Sequence, residues 1–491
     1  MSASEAADMP FGISNGKFQI SNLRCEICNL RFRAERGRPI GRSRKRVPRG
    51  RPAKSMELPL NKLTLKIDSL TYGPYGVGRK EGQVIMVPLT APGDEAEVRI
   101  VEKKGNYAIG ELLRLTNPSP LRQDPPCPYV GQCGGCPWQQ IQYEAQLKAK
   151  EKSVEDALRR IGKLEGFDLL PILRSPKEYR YRRRIRLQAD ARKRLGFHRA
   201  FSHDLIEIES CLIADPRADR QLEHAGEWLQ ALRTRIQHIE IVVGDEDGAV
   251  VFVAKAEGDF AAADDLANSR FLEQSTAVNG LIIFGRGWRR SWGRGTIMMR
   301  PEEGLKMEVD GEVFSQVNSE GNSRLVRELL QWGEFRNDDR VLELYCGAGN
   351  FTLPVARRAR EVLAVEGAPR SVENGKINSR LNRLENIRWI RSHAPEAVKQ
   401  LRHRRESFSK IVLNPPRSGA KGLEDDLASL EAEMILYVSC NPPTLARDLA
   451  ALRKRGYRLA RVRPVDLFPH TFHVETLAEL VSNNELRKNR S

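Results

Sequence analysis

Cys440 stands in the run LYVSCNPPTLA, between the apolar stretch Met434 to Val438 and the pair Pro442–Pro443. An apolar run that stops at Pro-Pro reads as a buried strand with an abrupt end. A thiol on the loop beyond it is placed to reach a ligand. Further on, DLFPHTFHVE turns at Phe468–Pro469–His470–Thr471 and runs into His473 and Glu475. A thiol and a carboxylate at neighbouring strand ends suit methylation at C5 of a pyrimidine. That carbon is too poor a nucleophile alone. A thiolate adding to C6 makes it an enolate carbon able to attack a methyl group. A base then removes the C5 proton and elimination frees the thiol. Cys440 is the candidate nucleophile and Glu475 the candidate base.

The methyl donor has its own signal. Residues 341–352 read VLELYCGAGNFT, a buried strand running into a Gly347-x-Gly349 turn before a helix. Glycines there let the backbone approach a ligand closely. Glu366 ends the next strand, VLAVEG, where its carboxylate can accept both ribose hydroxyls. A dinucleotide site would carry a third glycine where Thr352 stands, and no Walker lysine is present. The form E-x-x-C-G-x-G resembles the first motif of S-adenosylmethionine methyltransferases. At the fourth strand, IVLNPPRSG puts Asn414 on a rigid strand end. Amino-group methyltransferases use a similar tripeptide followed by an aromatic, and Arg417 in that place argues against that class.

Cys127, Cys133 and Cys136 are spaced C-x5-C-x2-C, and Cys211 follows 75 residues later. Three close thiolates and one distant one are enough for a cubane iron–sulfur cluster. Zinc on four cysteines is the competing reading, although paired C-x2-C knuckles are its commoner layout. Four buried free thiols are the plain alternative.

These sites need a large, mostly basic scaffold. The chain has 491 residues, with 81 Lys and Arg against 64 Asp and Glu. Its length fits three domains, and its charge points to a polyanionic partner, most often nucleic acid. Residues 1–55 hold 13 basic and 4 acidic side chains. They read as a disordered basic tail, either a real arm or sequence ahead of the true start at Met56. Cys25 and Cys28 have metal-pair spacing there without a second pair. No run approaches the roughly 18–20 apolar residues of a membrane span. The opening MSASEAADMP lacks the marks of a secretory leader, so a cytoplasmic monomer is the expectation.

Residues 56–118 alternate in short runs (LTLKIDSL, GQVIMVPL, AEVRIVEKK, YAIGELLRL) separated by Gly-rich turns such as YGPYGVGR. They suggest a small β-barrel, and the stretch resembles the TRAM domain, an RNA-binding barrel. Residues 119–313 read as a mixed α+β central domain with a helix from Gln139 to Ile161. Within it EYRYRRRIRLQ, read as a strand, puts Arg182, Arg184 and Arg186 on one face. Such a row suits a phosphate backbone; a solvated edge strand is the competing reading. From 314 onward strands alternate with helices, implying a doubly wound, Rossmann-like α/β domain.

Together, the cofactor strand, NPPRSG, SCNPPTLARDL and FPHT-x-HVE resemble the RNA 5-methyluridine methyltransferase family over residues 57–491. The resemblance implies Cys440 as nucleophile, Glu475 as base, and donor contacts from Gln316, Tyr345, Asn350 and Glu366. It also implies a [4Fe-4S] cluster on the CGGC pattern with Cys211 completing it. By analogy with the branch carrying barrel and cluster, it favours ribosomal over transfer RNA. The family usually has Asp where this chain has Asn414, which keeps a carbonyl acceptor, loses the charge and gains two donors. A cytosine-5 enzyme, an amino-methyltransferase and a non-catalytic RNA-binding protein are the competing readings. The target base must leave its stack to reach Cys440.

Overall fold

The computed structural model describes residues 62–245 and 247–483. The basic stretch 1–55, with Cys25 and Cys28, lies outside the described residues.

Five strands close a barrel: β1 (Lys62–Leu70), β2 (Tyr75–Lys80), β3 (Gln83–Pro88), β4 (Glu95–Lys104) and β5 (Tyr107–Asn117), in the order β1-β2-β3-β5-β4. Alternation aims Leu65, Ile67, Ile85, Val87, Ala96 and Val98 inward. The Gly-rich segment expected as a turn is largely a strand of its own, β2. Its glycines explain the difference. A Cβ on Gly78 would stand 2.2 Å from the Lys66 carbonyl oxygen, and one on Gly76 2.2 Å from Thr90 Oγ1. The barrel wall closes only where side chains are missing.

A second sheet has seven strands: β7 (Arg184–Ala189), β8 (Leu195–His198), β9 (Leu205–Ile206), β10 (Ile236–Val243), β11 (Val250–Ala256), β12 (Gly280–Gly285) and β13 (Trp288–Gly293). The order is β13-β12-β11-β10-β7-β8-β9. One face packs Ile239, Ile241, Phe252 and Ile283 against Trp228 and Leu229 of a helix. The other face (Val242, Val251, Val253, Ile282) meets the hairpin of β14 (Thr296–Met299) and β15 (Met307–Asp310). Ala348 and Leu353 join that same core, so the hairpin ties this sheet to the glycine turn.

The third large sheet contains β16 (Arg340–Leu344), β17 (Glu361–Glu366), β18 (Ile387–Arg391), β19 (Lys410–Leu413), β20 (Met434–Ser439), β21 (Tyr457–Val465) and β22 (Glu475–Ser482). The first five are parallel. β17, β19 and β20 read as near-unbroken apolar runs, as strands covered on both faces do, while the edge strand β18 is interrupted by Arg388 and Arg391. β22 enters antiparallel between β20 and β21. The sheet also recruits β6 (Asp168–Leu169) beside β21. It is therefore not drawn from residues after 314 alone. Its order β18-β17-β16-β19-β20-β22-β21-β6 reverses direction at β16 and β19, where an open α/β sheet leaves a crevice beyond its strand ends. The helix expected over 139–161 covers Tyr143–Asp156 and ends in a wider turn, Ala157–Ile161.

Candidate active site

At the crevice, Tyr345 takes a positive φ (63°), followed by Gly347 (58°) and Gly349 (108°). A Cβ on Gly347 would meet nothing within 4 Å, so the turn borders open space. The Gly347 N–H donates to Glu366 Oε2 (3.0 Å) and the Ala368 N–H to Oε1 (2.8 Å). These bonds fix the carboxylate at the strand end and leave further lone pairs for hydroxyl donors. Asn350 forms a reciprocal amide pair with Asn322, at 2.8 and 3.0 Å. Gln316 is buried and its carbonyl accepts from Arg183 Nε at 2.7 Å. The Asn414 N–H donates to Leu344 O, joining the two strand ends that flank the reversal. Glu343, two residues before Tyr345, is buried beside the Thr352 hydroxyl. Burial, aided by the charge of Glu366, pushes its carboxyl up to about 8 against the downward pull of that hydroxyl. An open turn and a fixed diol acceptor fit a nucleoside such as that of S-adenosylmethionine.

The second half of the site comes from β20 and β22. Their register sets Ser439 opposite Thr476, so Cys440 and Glu475, one step along each strand, are brought side by side. Pro442 and Pro443 do more than end β20: they form the first turn of the helix Pro442–Arg453, whose N-cap is Asn441. Cys440 is half-buried and Glu475 buried. Burial and the adjacent Glu475 charge push the Cys440 thiol up to about 12, while Arg417 pulls it down through its charge and a hydrogen bond. Burial likewise pushes Glu475 up to about 7 against the pull of Arg417. Burial, then Arg417, drives His473 down to about 3, so its imidazole is neutral. Arg417 thus stands at the junction of thiol, carboxylate and imidazole. Sequence reading used it only to exclude another class; a basic residue on a strand end beside a thiol was the available signal.

A buried polar platform holds the Phe468–Thr471 turn. Lys150, fully buried, donates to Asp466 Oδ1 (2.7 Å) and Phe468 O (2.9 Å). Tyr143 Oη donates to Asp466 Oδ2 (3.0 Å). His470 sits at φ 67°, its N–H donating to Gln146 and its carbonyl accepting from the Trp138 N–H. A histidine in this conformation needs such over-determination.

Trp138 also carries the site toward the cysteines. Cys127, Cys133, Cys136 and Cys211 are all free and half-buried. Burial pushes Cys136 well up, with Cys211, Cys133 and Cys127 adding to it, so the four thiols lie within one another's field. The Gly135 N–H donates to Cys133 Sγ at 3.4 Å. Among the described residues no group of side chains converges on a single metal ion. A mononuclear ion draws its sulfurs to about 2.3 Å from one point, whereas cubane ligands bind separate irons. Four thiols within one another's field are a donor set that suits an iron–sulfur cluster, and zinc as well.

The arginine row is divided. Arg184 donates to Glu240 (2.6 Å) and to the Gly311 and Val313 carbonyls. Arg186 shares Glu240 but keeps 55% of its side chain exposed. Arg182 precedes β7 and faces the cysteines, lowering Cys136 and Cys211. Its neighbour Arg183, not singled out in the sequence, is buried against Asp245.

Comparison with known proteins follows the same division. The tRNA (uracil-5-)-methyltransferase family matches residues 142–482, and the TRAM domain matches 61–113. The chain is 36% identical to the 23S rRNA (uracil(1939)-C(5))-methyltransferase RlmD of Edwardsiella ictaluri, covering 82% of this chain and 92% of that one. It is 33% identical to the RlmD of Pectobacterium atrosepticum, over 90% of this chain and 98% of that one. In structure it is similar to a Pyrococcus abyssi tRNA (uracil-54, C5)-methyltransferase in complex with S-adenosyl-L-homocysteine. The TM-score is 0.67 at 24% identity, over 85% of this chain and all of that one.

Proposed function

The chain belongs to the RNA (uracil-5-)-methyltransferase family, and from that premise we propose that it methylates C5 of a uridine in 23S ribosomal RNA. The observation that carries the mechanism is the meeting of Cys440, Glu475 and Arg417 beside the crevice at β16. The Cys440 thiol loses its proton and adds to C6 of the flipped uracil, leaving C5 an enolate carbon. Arg417, hydrogen-bonded to the thiol, opposes the burial that keeps it protonated. S-adenosylmethionine, when bound, supplies the methyl group as an electrophilic sulfonium carbon. Glu475 then accepts the C5 proton, and the C6–Sγ bond breaks to restore the double bond and the thiolate. A base poised at about 7 is matched to neutral pH. Gln316, Tyr345, Gly347, Gly349, Asn350, Glu366 and Asn414 are the donor contacts we assign.

The 23S assignment rests on the two relatives that match 82% and 90% of the chain. Such a substrate supports a cytoplasmic location for the working enzyme. We assign Cys127, Cys133, Cys136 and Cys211 to a [4Fe-4S] cluster. Held there it would cross-link two loops, since methyl transfer needs no electron.

The test is a trap. The protein and S-adenosylmethionine are mixed with total RNA containing 5-fluorouridine, whose C5 has no removable proton. The expected result is a denaturant-stable adduct, absent in Cys440→Ala, that sequencing maps to 23S RNA. Mapping to transfer RNA would overturn the substrate, and no adduct despite donor binding would overturn the thiol mechanism.

A further inference from the structure

The barrel touches the nucleophile. Tyr72, on the turn between β1 and β2, donates its hydroxyl to the Cys440 carbonyl at 2.8 Å, across 368 positions of sequence. Its ring meets Phe472 edge-on, centroids 5.8 Å apart at 86°. Phe472 in turn lies 4.3 Å from the His473 ring, two residues before Glu475. One side chain therefore contacts the loop carrying the thiol and the loop leading to the carboxylate.

The turn that presents Tyr72 is braced. The Thr71 N–H and hydroxyl both donate to Tyr75 O, at 2.9 and 3.1 Å. Tyr75 stacks on Phe201 of the central region, centroids 5.5 Å apart at 22°. A carbonyl gripped by a fixed phenol fixes the peptide plane after Cys440, and with it the direction of the Cα–Cβ bond. Reacting atoms must be aligned closely, since a displacement of about 1 Å can cost about a hundredfold in rate.

We propose that Tyr72 is a positioning residue for the methyl transfer. Its hydroxyl sets the Cys440 peptide and its ring sets the Phe472–His473 loop, so the barrel is a structural part of the active site as well as an RNA contact. This rests on Cys440 being the nucleophile.

Adduct formation with 5-fluorouridine RNA at saturating RNA and donor separates positioning from gripping. Tyr72→Phe keeps the ring and removes one hydrogen bond. It slows the adduct by about three- to tenfold, the range such a bond commands, with RNA affinity unchanged and the melting temperature lowered by no more than the loss of that one bond. Tyr72→Ala, which also loses the Phe472 contact, is slower than Tyr72→Phe. An unchanged Tyr72→Phe rate at saturation, with or without weaker RNA binding, would overturn the proposal while leaving Cys440 as nucleophile. A wild type that forms no adduct would overturn both readings.

Discussion

Replacing Glu475 with glutamine should make the protein more stable and nearly inactive at once. The carboxyl is buried, and its pKa lies at about 7 against an ordinary 4.5, with Arg417 already included among its neighbours. At 1.36 kcal/mol per pH unit, ionising this carboxyl costs about 3 kcal/mol more in the folded protein than in the unfolded chain. The folded value is the higher one, so folding favours the protonated form. The wild type therefore loses stability as pH rises from about 4.5 through 7, and that loss is complete above 7. Glutamine is neutral throughout and escapes it. Denaturant unfolding should show the variant equal to wild type near pH 4.5 and up to about 3 kcal/mol more stable at pH 8. Turnover should fall by about 10²–10⁴, the range for a lost general base. With the methyl already transferred and the C5 proton unclaimed, a methylated Cys440 adduct should accumulate on ordinary uridine RNA. Single-turnover assays with labelled methyl donor and denaturing gels read both quantities. Turnover within tenfold of wild type, or a variant less stable at pH 8, would refute the reasoning.

The Cys440 thiol, held near 12, is almost wholly protonated at neutral pH, so the adduct rate with 5-fluorouridine RNA should rise about tenfold per unit between pH 6.5 and 8.5; a flat profile would contradict this. Lys150→Met leaves Asp466 buried without its counter-ion and should cost about 3–5 kcal/mol in denaturant unfolding, with Lys150→Met/Asp466→Asn recovering part of it. Arg186→Ala should reduce the salt slope of RNA binding by about one. Arg184→Ala, which breaks the bonds to Glu240, Gly311 and Val313, should lower stability before it changes that slope.

The sequence made the parallel strands legible because burial on both faces writes unbroken apolar runs, as in IVLNP and MILYVSC. The glycine turn and Glu366 were legible because close approach and strand-end acids leave local marks. Strand β2 was not, since Gly76 and Gly78 answer to Thr90 and Lys66 across the barrel, not to a period of their own. Arg184 and Arg186 alternate along β7 while Arg182 precedes it, and Glu240 and the cysteines, from distant segments, decide where each guanidinium goes. Tyr72, Lys150 and Asn322 carry no signal at all, because each is defined by a partner elsewhere in the chain.

The pairing of Lys150 with Asp466 also bears on how the protein is made. The two residues are 316 positions apart. At about 5–20 residues per second, the ribosome takes roughly 15–60 s to travel from one to the other. During that interval Lys150 has no counter-ion and the helix Tyr143–Asp156 has no finished sheet to close upon. The middle of the chain must therefore wait, incompletely packed, for the last segment to emerge. A nascent chain stopped before Asp466 is expected to be a client for chaperones and proteases rather than a free-standing RNA-binding fragment.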